Sequence, residues 1–209
     1  NLVAACERAL ITECRNEAGN EEWTEFDALV HNEPQTLIEL ATYYSGLGLW
    51  QTALRLLDRT SEENVAALIE YHRAHLLGKL GDTEKALEAR RRARNAPVNA
   101  VFPHRSEEIA ILSEAVDSDH TDATAPYLLG TFLYAVGRTN DGRAMWREAS
   151  QRCSNEASLY SVLGWAAWKL DSDRVQALSH CRKAAELRPT DYRIHISIDQ
   201  IEEELGTSP

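Results

Sequence analysis

The sequence predicts an all-α protein, an α-solenoid of antiparallel helical hairpins with about 12 helices and no sheet. Three observations carry this. "ATAPYLLGTFLYAVG" (Ala123 to Gly137) returns 34 residues later as "ASLYSVLGWAAWKLD" (Ala157 to Asp171), with Leu129 and Gly130 matched by Leu163 and Gly164. Apolar residues recur at three- and four-residue spacing almost throughout, as one face of a helix requires. Nowhere do β-branched residues alternate with polar ones long enough to read as a strand.

Taken in order, "NLVAACERALITECRNEAG" and "EEWTEFDALVHNEP" read as a first helical pair over 1–33, turning at Gly19 and Asn20 and bounded by Asn32 to Pro34. Two repeats follow over 34–95. In the first, Leu37, Leu40, Ala41 and Tyr44 share a face, Gly46 and Gly48 break the helix, and Trp50, Ala53, Leu54 and Leu57 restart it. In the second, Gly81 is the turn and Ala86 takes the place of Ala53, 33 residues on. Residues 96–122 interrupt the pattern: two prolines stand where a first helix belongs, and a capped helix starts near Ser106 with Glu107 and Glu108 in its first turn. This reads as a half repeat that has kept only its second helix and bends the array. Two more repeats fill 123–190, the first turning at Gly137 with Trp146 and Ala149 on its second helix, the other marked by Ala177, Cys181, Ala184 and Pro189. Residues 191–209 form a capping helix whose Ile194, Ile198, Ile201 and Leu205 cover the last hairpin. The whole of 1–209 is expected to be one superhelical domain.

A fixed period of this size marks a helical repeat. The small residue of each first helix (Ala41, Ala74, Gly130, Gly164), the turn residue seven on (Gly48, Gly81, Gly137, Asp171) and the alanine beyond it (Ala53, Ala86, Ala177) resemble the tetratricopeptide repeat. Gly142 replaces that alanine in the third copy, and the fourth has one extra residue in its turn. Small residues let the two helices of a hairpin approach, while Tyr44, Leu57, Trp146 and Tyr160 fill the spaces between hairpins. The last half is similar to the C-terminal region of large bacterial proteins of unknown function, in which a β-sandwich akin to galactose mutarotase precedes the repeats. That likeness rests on Phe102, Pro103, Arg105, Glu108, "LDSDRVQAL" and "SIDQIEEELG". It implies that this chain is a fragment of a larger bacterial protein, as does its start at Asn1 without methionine.

Composition excludes several partners. Against 33 acidic residues stand 22 basic ones, a net charge of −11, which disfavours nucleic acid and anionic membranes. The densest basic run, "EARRRAR" (Glu88 to Arg94), reads as a solvated helix face. No apolar stretch is long enough to span a bilayer and no signal peptide opens the chain, so a cytoplasmic location is expected. Cys6, Cys14, Cys153 and Cys181 lack metal or disulfide spacing and are expected to be small buried hydrophobes.

Chemistry is sparse. His72 and His75 lie three apart on a helix without a third ligand, and His75 is read as a polar group of the inner face. His180 beside Cys181 falls where a repeat packs its core. The carboxylate pairs at Glu62–Glu63 and Glu107–Glu108 and the run Glu202 to Glu204 suit helix starts or exposed faces. No catalytic, cofactor-binding or metal site is expected, and no enzyme. What remains is the concave face implied by the repeat resemblance, where counting places Ile38, Thr42, Tyr71, His75, Tyr127, Thr131, Tyr134, Ser161, Trp165 and Trp168. The partner-binding candidates among them are Tyr71, His75, Tyr127, Thr131, Tyr134, Trp165 and Trp168. The carboxylate clamps of chaperone-binding relatives are missing there. Three readings follow: a non-catalytic interaction or scaffolding module that docks a protein partner or a domain of the same chain, an accessory region of a carbohydrate-active enzyme whose aromatics contact sugar, and a module that forms homodimers through its end near Asn1.

Overall fold

The computed structural model describes residues 1–15, 20–31, 33–61, 65–98, 101–152 and 155–206. Among them are twelve α-helices and no strand. Backbone packing divides the chain into two compact units, Asn1–Phe102 and Pro103–Pro209.

The first unit holds α1 (Leu2–Cys14), α2 (Asn20–Val30), α3 (Pro34–Gly46), α4 (Trp50–Leu57), α5 (Ala67–Lys79) and α6 (Thr83–Asn95). They pack as three hairpins, α1 with α2, α3 with α4 and α5 with α6, and α5 lies against both α3 and α4. Ala41, Ala53, Ala74 and Ala86, the small positions of the period, are all buried and let the backbones close up. Gly48 and Gly81 turn the chain at φ +77° and +83°, a left-handed backbone that a side chain disfavours. Pro34 is the first residue of α3, where its missing N–H costs nothing.

Sequence reasoning missed one feature of this unit. Glu70 is buried on α5 and accepts from Arg73 and from Arg92, the latter at 2.8 Å. Arg73 also donates to the carbonyl of Leu57 at the end of α4. One member of the "EARRRAR" run therefore anchors a buried carboxylate instead of only facing water.

The second unit holds α7 (Glu107–Ser118), α8 (Thr124–Ala135), α9 (Thr139–Gln151), α10 (Ala157–Lys169), α11 (Arg174–Leu187) and α12 (Tyr192–Leu205). Here α8 pairs with α9 and α10 with α11, α7 lies on α8, and α12 covers α11. As its pattern predicts, α12 buries Ile194 and Ile201 and packs Ile198 and Leu205 on Ala167, Ala177 and Cys181. Two local expectations need correction. The cap expected near Ser106 does not form, since its hydroxyl bonds Glu107 and no backbone group; instead Glu108, in the first turn of α7 as expected but buried, reaches back to the N–H groups of His104 and Arg105 at 2.6 and 2.7 Å. In the last turn the left-handed residue is Ser172 (φ +56°) and not Asp171, because the extra residue moves the bend one place on.

Of the cysteines, Cys6 and Cys181 are buried as expected, but Cys14 is exposed at the end of α1. Cys153, Glu62, Glu63, Gly19 and Asn32 lie outside the described residues.

Candidate functional site

The α8–α9 hairpin is built more tightly than an alanine-based one. A Cβ placed on Gly142 would stand 2.7 Å from the Gly130 carbonyl oxygen and 2.8 Å from the Tyr134 nitrogen. One placed on Gly130 would meet the Trp146 ring at 2.6 Å. Both distances lie well inside van der Waals contact, so only glycine fits at either place. The departure at Gly142 is thus matched by Gly130 opposite: the first lets the two backbones close up, and the second leaves room for the large indole of Trp146.

That indole supports a row of rings. Trp146 is buried, and its Nε1–H donates to the Thr131 hydroxyl at 3.3 Å. Tyr134 of α8 stacks on it with ring centroids 5.2 Å apart. Trp165 of α10 meets Tyr134 edge-on at 5.5 Å and 89°, a favourable arrangement for ring quadrupoles. The row runs from the hairpin core to solvent, where Trp165 is 40% exposed. No described residue accepts a hydrogen bond from its indole N–H. The wall around it is nearly free of charge: α8 carries no charged residue and α10 only Lys169.

Trp168, the other tryptophan of α10, is already engaged within the chain. Its Nε1–H donates to Glu204 of α12 at 3.1 Å, and the Lys169 ammonium lies 3.1 Å from its ring centre. Arg174 donates to the same Glu204 oxygen at 2.6 Å. The indole and the guanidinium together hold the Glu204 carboxyl below the usual carboxylate range.

The remaining predicted positions divide by depth. Ile38, Thr42 and Tyr71 in the first unit and Tyr127 in the second are buried and offer no surface. Burial pushes the Tyr127 phenol pKa up, with the nearby Glu156 carboxylate adding to the effect. His75 is half-buried. The hydroxyls of Thr131 and Ser161 donate back to the carbonyls of Tyr127 and Ala157 within their own helices. Tyr134 and Trp165 are therefore the predicted positions that the structure brings together at a surface. Trp146, read from the sequence as a large filler residue of the second helix, supports them, while Lys169 and Glu204, which engage Trp168, are residues that sequence reasoning did not find.

The groups considered for chemistry pack as structure. His72 is buried, and no group of three His, Cys, Asp or Glu among the described residues is placed to hold a metal ion. Cys181 points at Gly164, where an added Cβ would stand 2.6 Å from its sulfur, and burial raises its thiol pKa. Burial lowers the His180 imidazole pKa, and that ring lies tilted against Tyr160 at 6.3 Å. Among the described residues no helix is long and apolar enough to cross a membrane.

No protein-family model matches the chain, and no curated protein matches it. Several solved structures align with the chain. The structure of MamA aligns over 80% of this chain and 85% of its own at 17% identity and a TM-score of 0.45. The C-terminal part of a TPR repeat-containing protein from Cytophaga hutchinsonii aligns over 99% and 72% at 16% identity and a TM-score of 0.46. YrrB, described as a TPR protein with an unusual peptide-binding site, aligns over 94% and 91% at 14% identity and a TM-score of 0.41.

Proposed function

We propose that the chain is a non-catalytic protein-interaction module of tetratricopeptide type, and that its second unit docks a polypeptide on the wall formed by α8 and α10. The partner is a separate protein or another domain of the same longer chain, such as the sugar-type β-sandwich that the resemblance of the last half implies. One observation carries this reading: the half-exposed Trp165, braced edge-on by Tyr134, which rests in turn on the buried Trp146. A large ring held in one orientation offers contact area with little conformational entropy left to lose, the property that enriches tryptophan among interface hot spots. Because the wall is almost uncharged, an apolar stretch of partner can cover it without stranding an unpaired charge. The indole N–H, which no described residue engages, can then donate to a carbonyl of the bound segment.

A photo-crosslinking amino acid at position 165, expressed in the native full-length protein, tests this. Crosslinks are expected to a defined partner chain, or within the same chain to a defined domain, and not from position 175, whose native Val175 is exposed on α11. Trp165→Ala is expected to weaken that association at least about tenfold, on the scale of a central aromatic anchor, in a variant that circular dichroism shows to be folded at the assay temperature. Equal crosslinking from both positions, or association unchanged in Trp165→Ala, would refute the docking wall.

A further inference from the structure

The stretch "ATYYSGLGLWQTAL", Ala41 to Leu54, contains no charged residue in a chain of which 26% are charged. It forms the end of α3, the turn, and the start of α4, and although Ala41, Tyr44 and Ala53 are buried, four of its large apolar side chains are not. Tyr43 is 52% exposed, Leu47 58%, Leu49 49% and Trp50 36%. Leu80, at the next hairpin turn of the same unit, is exposed as well.

Comparison with the other turns shows what is unusual here. The residue after the left-handed position, which precedes the second helix, is Asp82 before α6 and Asp173 before α11, and each accepts from a backbone N–H of the helix it opens. Before α9 it is Arg138, which pairs with Asp141. At the same place before α4 stands Leu49, with no side-chain cap, followed by Trp50 where α6 and α9 begin with threonine. A cap contributes about 1 kcal/mol to a helix, and α4 forgoes it for an exposed leucine. Local stability does not account for that choice, and a covered surface does.

We propose that the α3–α4 turn is a self-association surface, which meets the same turn of a second copy of this chain across a two-fold axis. Charge selects this occupant. With −11 on each copy, most of the surface sets acid against acid when two copies meet. The α3–α4 turn has no charge to repel and none to leave unpaired, so it is complementary to itself, as a two-fold interface demands. A basic partner finds no carboxylate there, and an anionic bilayer finds no lysine or arginine. The four residues present roughly 400 Å² of surface, within the usual span for the largest apolar patch on a monomer and about half of one side of a standard interface. That suits the apolar centre of a dimer contact with a polar rim. At the end near Asn1, where dimerisation is the sequence expectation, the exposed Val3, Ile11 and Leu29 are interleaved with the exposed charges of Glu7, Arg8 and Glu25, which makes that end the poorer match to itself.

The test is the solution mass of the 209-residue chain across the micromolar range, by light scattering and sedimentation, with Leu47→Glu and Leu47→Lys for comparison. Leu47 sits at the apex of the turn and is more than half exposed, and circular dichroism verifies that both variants fold. The wild-type mass is expected to rise toward twice the monomer value with concentration. Each variant alone is expected to associate at least about tenfold more weakly, since the two-fold axis sets like charges near one another. An equimolar mixture of the two is expected to regain the wild-type association, acid now facing base. A wild-type mass that stays monomeric overturns the proposal, whether or not the turn binds phosphatidylcholine vesicles. Undiminished self-association in Leu47→Glu, or a mixture no stronger than its components, overturns it equally.

Discussion

Gly142→Ala tests the packing that places the ring row, because it restores the alanine that the repeat pattern expects and that this hairpin lacks. The new methyl would lie 2.7 Å from the Gly130 oxygen and 2.8 Å from the Tyr134 nitrogen, with the Tyr134 Cβ at 3.0 Å. The first two are backbone atoms, so no change of rotamer relieves them. Reaching ordinary contact near 3.4 Å requires α8 and α9 to part by about 0.7 Å. A gap of that size removes a quarter to a half of the dispersion attraction across it, and the gap opens beside Trp146, the largest buried side chain. Overpacking of this kind costs about 1–3 kcal/mol, and rigid backbone partners place this case at the top of the range. Alanine returns about 1 kcal/mol through its better helix propensity. The net is a destabilisation of about 2 kcal/mol, or roughly 8 °C in melting temperature for a cooperative unit of some hundred residues.

Thermal unfolding followed by far-UV circular dichroism measures the loss, and near-UV dichroism reports the Tyr134–Trp146 stack. Gly46→Ala is the control. It lies at the end of α3 with nothing within 4 Å of an added Cβ and an ordinary φ, so its stability should be unchanged or slightly raised. If Gly142→Ala is as stable as wild type, the two glycines are not a steric requirement and the account of how Trp165 is braced fails with them.

Two further outcomes follow from side chains on other elements. Glu70→Gln, which removes the buried partner of Arg73 and Arg92, should cost about 3 kcal/mol in chemical denaturation. Arg92→Ala, half in solvent, should cost less than about 1 kcal/mol, and equal losses would show that Glu70 is not the anchor. The lowered pKa of Glu204 gives the third expectation its sign. A carboxyl more acidic in the folded than in the unfolded chain contributes stability above the ordinary carboxylate range, and loses it as pH falls through the lowered value. The Trp168 indole N–H resonance should therefore shift in that acid window and stay flat in Glu204→Gln. A resonance indifferent to acid in the wild type would show that Glu204 does not hold the ring.

Periodicity reports which side of a helix a residue faces but not how deep it lies, and that division runs through this protein. The hairpins were legible because close backbone approach needs a small residue at a fixed place, which Ala41, Ala53, Ala74 and Ala86 fill wherever they occur. Turn glycines were legible because Gly48, Gly81 and Gly137 occupy a backbone region that side chains avoid. Tyr127 and Trp165, which counting assigns to one face, have opposite environments, the first buried and the second exposed. Glu156, Ser158 and Arg188 of the following hairpin lie around the Tyr127 phenol, and no local pattern announces contacts 29 to 61 positions away. Trp168 is engaged by Glu204, 36 positions on, through the register of α12 on α11. The failures point the same way as the successes. Gly142 in place of alanine and Leu49 in place of a capping aspartate both broke the repeat grammar, and each marks a place where this chain differs from an idealised array. The first lets α9 close on the backbone of Gly130 and Tyr134 beneath the exposed ring row, and the second leaves an uncharged turn open to solvent. In a repeat protein the shared residues build the scaffold, so the residues that break the pattern at some cost in local stability are where an individual function is to be sought.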